Sequence, residues 1–369
     1  MRYFVRKILI VRLHWWIRWM ISVVLYYSGL FWLASRVLGT FRRRNRAVIL
    51  RYHRVLADGE HPFYNLGIPR KVFDRQVAFL AGNWRVLSLT ELVDRLKSGR
   101  RLPQRALVIT FDDGYRDNFT LAAPILKRHQ VPATFFVTTN FIDRPCEKPW
   151  WDELAEGIAG LAEKNLALRM NGTVRFFRAR NRWERLQVLD TVLESMKRLT
   201  NGEFLHRLEL LRLQLNPAEA GPARRRPMMT WREARQLAAQ GFEVECHTRS
   251  HPILSRLPRR QWGRELLWSK LHMEQKLRRT VRFLALPNGR PEDIPQELYE
   301  RLRGYGYEAA VTSVAGTVGP GDNLFGLKRR GVYTANSMTP WGTFSPALFT
   351  LELSGFFDKL LFRKGSPHG

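Results

Sequence analysis

The sequence predicts an α/β protein: a barrel of seven β/α units with a helical insertion and a hydrophobic, basic N-terminal segment. Three observations carry that prediction. Seven short apolar runs rich in β-branched and aromatic residues recur along the chain, the pattern of buried parallel strands. Segments with apolar residues three and four apart fall between most of them, and strands alternating with helices make βα units. The residues best suited to chemistry (His53, Asp112, Asp113, His247, His251 and Asn288) lie at or just after the end of a run. A parallel barrel collects its functional groups there.

Residues 1–40 are read as a membrane-associating segment. Residues 1–54 hold twelve Lys and Arg and no Asp or Glu. Within them, Trp19 to Ser35 is an uncharged run carrying Trp19, Tyr26, Tyr27 and Trp32. A spanning helix needs about 20 apolar residues, with about 17 as the floor, and Trp and Tyr suit the interface. Two readings stay open. One is a short transmembrane helix. The other is an amphipathic helix in the headgroup plane, held by its cations to anionic lipid. A cleaved signal peptide fits less well, because no small-x-small site follows the run cleanly. Basic residues flank both ends, so charge sets no orientation.

The barrel is expected over 41–340. Its strands are placed at 47–55, 107–112, 133–139, 242–248, 282–286, 308–314 and 326–332. Helical periodicity marks Arg70 to Leu80, Thr90 to Lys97, Tyr115 to His129, Thr230 to Gln240, Arg259 to Leu277 and Gln296 to Gly304. Thr90 and Thr230, each with a Glu within three residues, read as N-caps. Residues 145–227 form an insertion, mostly helical and most strongly so from Asn181 to Leu215. It opens with Trp150-Trp151-Asp152 and ends in Arg224-Arg225-Arg226-Pro227. Over 341–369, the Phe- and Leu-rich stretch from Trp341 to Phe362 predicts a helix that closes the barrel or lies on a membrane. Disorder is expected after it.

The apolar and charged fractions, 45% and 25%, are ordinary for a globular protein, but the net charge of +28 is not. Beyond residue 54, 49 Lys and Arg still face 33 acids. Such a body fits anionic headgroups, lipid-phosphate-linked sugars or acidic polymers. Nucleic acid fits worst, since the N-terminal cations interleave with an apolar run that suits a bilayer better than a phosphate backbone. Cys146 and Cys246 allow at most one disulfide, and without a C-x-x-C pattern they give no structural zinc site.

Two strings carry the chemistry: Thr110-Phe111-Asp112-Asp113-Gly114-Tyr115 and His247-Thr248-Arg249-Ser250-His251. Two His and one Asp leave positions open on a divalent metal, as a hydrolytic centre requires. The remaining Asp is suited to general-base work. The bland alternatives are a turn or helix cap for Asp112 and Asp113, and a solvated loop for the histidines. An H-x-x-x-H pair is common by chance, whereas T-F-D-D-G-Y is rare.

These two strings resemble the first two motifs of the polysaccharide deacetylases, the family-four carbohydrate esterases built on the nodulation-type chitooligosaccharide deacetylase domain. The resemblance covers roughly residues 46–335. It implies a distorted β/α barrel and metal-dependent deacetylation of an acetylated sugar. It makes Asp112 the base and Asp113, His247 and His251 the metal ligands. Pro287-Asn288-Gly289 resembles the third motif, a turn lining the substrate groove, with Asn288 where an aromatic is commoner. Tyr115 would lie on the substrate side. The late L-x-H motif is missing, since residues 290–367 hold no His. Instead Arg51-Tyr52-His53-Arg54-Val55 resembles the Y-H-x-V opening of a circularly permuted branch that serves exopolysaccharide or biofilm polymers. That likeness implies His53 as the acid; the bland reading is a buried structural His. Arg329, in Leu327-Lys328-Arg329-Arg330-Gly331-Val332, resembles a late L-x-R-x-x-V strand and would orient the base, unless it is a surface Arg. Trp151 is read either as a sugar-stacking ring or as a packing residue.

The expected activity is thus hydrolysis of N-acetyl groups on an amino-sugar polymer or a lipid-linked glycan at an anionic membrane surface. The metal is expected to be Zn²⁺, with Co²⁺, Ni²⁺ or Fe²⁺ allowed by the ligand set. Two alternatives compete: a C–N hydrolase of the same fold acting on a non-sugar amide or imide, and a non-catalytic basic membrane-surface protein.

Overall fold

The computed structural model describes residues 2–37, 45–64, 66–161, 165–170, 173–215 and 226–360. Parallel strands curl into one sheet: β1 (Ala47–Tyr52), β2 (Arg85–Leu87), β3 (Ala106–Phe111), β4 (Thr134–Val137), β5 (Glu243–Cys246), β6 (Phe283–Ala285), β7 (Ala309–Val311) and β8 (Arg330–Gly331). Their order is β7-β6-β5-β4-β3-β1-β8. All seven expected strands are present. The eighth, β2, pairs with Ala106 to Val108 of β3, while β4 pairs with Thr110 and Phe111 on the rest of that strand. The seam is narrow. Leu327 donates to the Ala310 carbonyl and accepts from Thr312, joining β7 to the segment that becomes β8. The result is a distorted (β/α)7 barrel with β2 as a short wedge.

Alternation along the strands builds two cores. Val48, Leu50 and Tyr52 of β1 and Leu107, Ile109 and Phe111 of β3 point outward, into the layer shared with the helices. Ala47, Ile49, Val108, Phe136, Phe283 and Val311 fill the barrel interior. The same inward face turns polar toward the C-terminal ends of the strands, at Arg51, Thr110, Asp112, Thr138 and His247, all buried. Period-2 alternation thus assigns the site residues to the interior. Two acids lie deeper inside. Glu243 accepts from the Leu89 and Thr90 amides and from the Thr134 hydroxyl. Glu245 accepts from the Arg282 and Phe283 amides, and burial pushes its carboxyl up to about 8.

The expected helices appear at Arg70–Asn83, Leu89–Lys97, Asn118–Ala122 continued by Ala123–Arg128, Trp231–Ala239, Trp262–Glu265 followed by Leu267–Leu277, and Glu297–Gly304. Thr230 caps its helix in a reciprocal box with Glu233. Thr90 is not a cap: Ser88 accepts from the Glu91 amide, so the helix begins at Leu89.

The insertion has its own core, including Trp151, Leu154, Leu168, Val192 and Leu211. Its two long helices are Arg182–Met196 and Asn201–Leu215. It is less helical than expected, since Asn165–Met170 and Thr173–Arg178 pair as an antiparallel hairpin. The Arg224 and Arg225 end of the insertion and the tail beyond 360 lie outside the described residues.

The N-terminal segment forms helices Arg2–Tyr27 and Leu30–Val37, broken where Gly29 takes a φ of 78°. Among the described residues, no helix is long and apolar enough to cross a membrane. The first helix packs on Pro346–Ser354 of the tail. Arg18 pairs with Glu352, Trp15 Nε1 donates to the Met338 carbonyl at 3.0 Å, and Phe31 joins Leu348, Leu351 and Phe357 in a small core.

Candidate active site

The D-D-G turn sends two neighbouring carboxylates in different directions. Asp112 continues the β1–β3 ladder, donating its amide to the Tyr52 carbonyl at 3.0 Å. Asp113 then enters the left-handed region at φ 75°, followed by Gly114 at φ 86°. That conformation is costly for a residue with a Cβ and recurs at functional sites. A Cβ on Gly114 would meet Val137 at 3.2 Å, so glycine suits the turn twice over.

Asp112 is gripped by Arg329. The guanidinium donates to both carboxylate oxygens at 2.7 Å, a bidentate fork. Arg329 is only 1% exposed, and it also donates to the Thr312 carbonyl and the Thr110 hydroxyl. Burial opposes ionisation of Asp112, but Arg329, with His247 beyond it, holds the carboxyl well below the usual range. Burial likewise lowers the Arg329 guanidinium, against the pull of Asp112.

The two histidines leave β5 on a strained loop. Thr248 and His251 have φ of 65° and 61°. Glu265 holds this loop, accepting from the Arg249 and Ser250 amides and the Ser250 hydroxyl. His247 Nδ1 lies 2.8 Å from the Ala285 carbonyl. It therefore donates there and leaves Nε2 with a free lone pair. His247 Nε2 and His251 Nε2 stand 3.4 and 3.5 Å from Asp113 Oδ1. One donor atom from each of the three residues lies within 4.8 Å of the others.

This set fits a divalent metal. Burial drives the His251 imidazole down to about 3, so it is neutral and ready to ligate. Burial resists ionisation of Asp113, but the adjacent His247, with His53 and His251 nearby, holds its carboxyl below the usual range. Two imidazoles, one carboxylate and a carbonyl orienting the first imidazole form the donor set of a catalytic site with open positions.

His53 follows β1 and faces the same cluster. Burial drives its imidazole down to about 4, with Asp113 opposing and Arg51 assisting that shift. Arg51, two residues earlier on the same face, is buried. It donates to the hydroxyls of Ser313 and Tyr333 rather than to a carboxylate. Arg51, Ser313 and Tyr333 were not singled out from the sequence. Arg51 was within reach, because strand alternation puts residues 51 and 53 on one side.

The groove candidates are less open than expected. Tyr115 is buried; its hydroxyl donates to Asp152 and accepts from Trp151 Nε1, both at 2.8 Å. Trp151 is 7% exposed and packs on His251 at 4.7 Å and on Phe141 and Trp150. It is a wall behind the His251 ring, and little of its face is left for a sugar. Burial pushes the Asp152 carboxyl up to about 7. Pro287 and Gly289 are buried, and Asn288, with φ 58°, donates to Asp293. A Cβ on Gly289 would meet the Leu286 carbonyl and the Ser313 amide at 2.8 Å, so this turn admits only glycine. The insertion borders the same mouth: Arg290, just after the turn, forks onto Glu194 at 3.2 and 3.1 Å.

Residues 99–174 and 209–310 match the family model described as polysaccharide deacetylase. Over those two stretches the chain is similar to that family. Among characterised relatives, it is 34% identical over 84 residues to the poly-β-1,6-N-acetyl-D-glucosamine N-deacetylase of Escherichia coli K12, covering 22% of this chain and 12% of that protein. It is 32% identical over 111 residues to the enzyme of the same name from Staphylococcus epidermidis, covering 27% and 38%. The chain spans well under half of these relatives' length. The structure of the Streptococcus pyogenes deacetylase PplD in complex with acetate superposes with a TM-score of 0.53 at 18% identity, over 82% of this chain and 100% of that one. The polysaccharide deacetylase BC0361 from Bacillus cereus gives 0.51 at 16%, over 84% and 69%. At such identity the likeness is one of fold.

Proposed function

We propose that this protein is a metal-dependent deacetylase that hydrolyses N-acetyl groups of an amino-sugar polymer, releasing acetate and free amines. The observation that carries the reading is one carboxylate, Asp112, locked by a buried Arg beside a separate Asp113–His247–His251 donor set. Base and ligands are thus distinct groups held at fixed positions. The curated relatives, named as poly-β-1,6-N-acetyl-D-glucosamine deacetylases, point to the polymer class.

Asp113, His247 and His251 hold the metal, for which Zn²⁺ is our first choice. When bound there it supplies Lewis acidity toward the acetyl carbonyl and lowers the pKa of a water. Asp112 accepts the proton of the attacking water at a carboxylate oxygen. Arg329 keeps Asp112 ionised and aimed; the cost is lower basicity, which the fixed geometry offsets. His53 delivers a proton to the departing amine, which leaves poorly as an anion. Its low pKa means that it rests neutral, so the proton it delivers is the one that Asp112 removed from water and passes on during the reaction.

We further place the enzyme at a membrane surface, with a lipid-linked glycan as a second substrate class. Its basic body and N-terminal segment support this.

Acetate release from N-acetylglucosamine oligomers by metal-loaded protein tests the reading. Asp112→Asn should lower turnover by about 10²–10⁴-fold and leave metal content unchanged. Failure to release acetate from any acetylated sugar, with metal bound, would shift the assignment to a non-sugar amide.

A further inference from the structure

We infer that one face of the N-terminal helix pair inserts into a single leaflet of an anionic bilayer, an assignment that rests on the membrane association proposed above. The helix Arg2–Tyr27 is apolar on two sides. One side is spent on the protein: Trp15, Ser22 and Tyr26 face the tail helix or its neighbours. The other carries Leu13, Trp16, Ile17, Met20, Val24 and Tyr27, each between 39% and 68% exposed. At 100° per residue these six fall within an arc of about 100°. Leu30 and Leu33 of the second helix and Trp341 of the tail, also exposed, extend the patch; Trp341 packs on Trp16 and Trp19. Monomeric proteins seldom leave so continuous an apolar strip in water.

The occupant is argued from charge and chemistry. The strip follows Arg2, Arg6, Lys7 and Arg12, and residues 1–54 hold no acid. Anionic headgroups complement that composition. A second copy would bring two such basic stretches together, and like charge opposes it. Trp16, Tyr27 and Trp341 are the amphipathic rings that settle at headgroup level. No described helix is long and apolar enough to cross the bilayer, so one leaflet is the partner.

The strip is fixed to the barrel. At one end Trp15 bonds to Met338, shortly after β8 ends; at the other the Arg105 guanidinium lies 5.5 Å from the Trp32 ring, just ahead of β3. The helices therefore run along the barrel wall from the mouth end toward the opposite end. The bilayer lies beside the barrel, and the mouth opens along its surface. A glycan displayed there reaches the site laterally.

The test uses full-length protein and vesicles of phosphatidylcholine alone or mixed equally with phosphatidylglycerol. Wild type should sediment with the mixed vesicles, and its tryptophan fluorescence should be quenched by brominated acyl chains. Met20→Glu with Val24→Glu should weaken vesicle binding by about a hundredfold. Circular dichroism and acetate release from a soluble oligomer should not change. Leu213→Glu, at an exposed leucine on the insertion, should bind like wild type. If the double variant binds as well as wild type, membrane association stands and the strip assignment falls. If wild type binds neither vesicle, both fall. If light scattering shows a wild-type dimer that the double variant dissociates, the strip belongs to a second copy.

Discussion

At the scale of single residues, the Asp112–Arg329 pair decides whether the proposed site keeps its base. Both groups are almost fully buried, so the pair is held by its fork and by the Thr110 and Thr312 contacts, with no help from solvent. Removing one partner leaves the other as an unpaired buried charge, which costs about 3–5 kcal/mol. Arg329→Met should therefore destabilise strongly, and the loss should depend on pH. The Asp112 carboxyl is depressed in the folded state, so the pair's contribution is fully present above the ordinary unfolded carboxylate value. It disappears as pH falls through the folded value. The gap in melting temperature between wild type and Arg329→Met should be widest at neutral pH and shrink below about 4. A gap that stays constant on acidification would mean that the pair is not ionised. Arg329→Lys keeps the charge but loses the fork. It should cost less stability, yet lower kcat/KM by about a hundredfold through a misaimed base. The sequence exposed this chemistry unevenly. Asp112, Asp113, His247 and His251 stand in short strings and could be read directly. The partnership with Arg329 could be expected only through the family likeness. The bonds from Arg51 to Ser313 and Tyr333 could not be read at all, because they depend on packing across more than 260 positions.

At the scale of elements, β5 carries two carboxyl groups, Glu243 and Glu245, into the barrel below His247. Glu245 ionises in the unfolded chain at its ordinary value and in the fold only at about 8. An acid raised in this way favours the fold below its unfolded value and withdraws that support as pH rises toward the folded one. Its Oε2 accepts both the Arg282 and Phe283 amides, a task an amide oxygen can also perform. Glu245→Gln should keep those bonds and remove the titration. Its melting temperature should match wild type near pH 4 and exceed it increasingly up to pH 8, as its stability advantage grows to about a few kcal/mol. Equal profiles at both ends would show that Glu245 stays ionised inside the barrel. The major strands were legible because each is an apolar run of ordinary length. Arg85–Leu87 was not, because three residues give no periodicity to detect. The hairpin in the insertion was missed although Asn-Gly separates its two runs, a turn signal that the long helices around it obscured. The helix ahead of Lys97 was found, but its start was misread by two residues. Ser88 and Thr90 both have cap chemistry, and only the backbone shows which is used.

At the scale of the whole molecule, the proposed metal site would also be a clasp. Asp113 leaves β3, while His247 and His251 leave β5, with β4 between them in the sheet. An ion held by all three ties two non-adjacent strands at the mouth, the end where the seam between β7 and β8 rests on few hydrogen bonds. The unfolded chain scatters these ligands, so binding belongs almost wholly to the fold. A site filled at a hundredfold excess over Kd adds about 2.7 kcal/mol of stability. Wild-type protein should therefore melt several degrees higher with Zn²⁺ than after chelation. Asp112→Asn, which spares the ligands, should keep that increment while losing activity. Asp113→Asn should lose both, and His251→Asn likewise. This contrast separates the two carboxylates that the sequence sets side by side, because stability reads the ligand and turnover reads the base. An increment that survives in Asp113→Asn would place the ion elsewhere and leave the hydrolytic reading without its centre. An increment lost in Asp112→Asn would show that Asp112 is itself a ligand, and that some other group takes the proton from water.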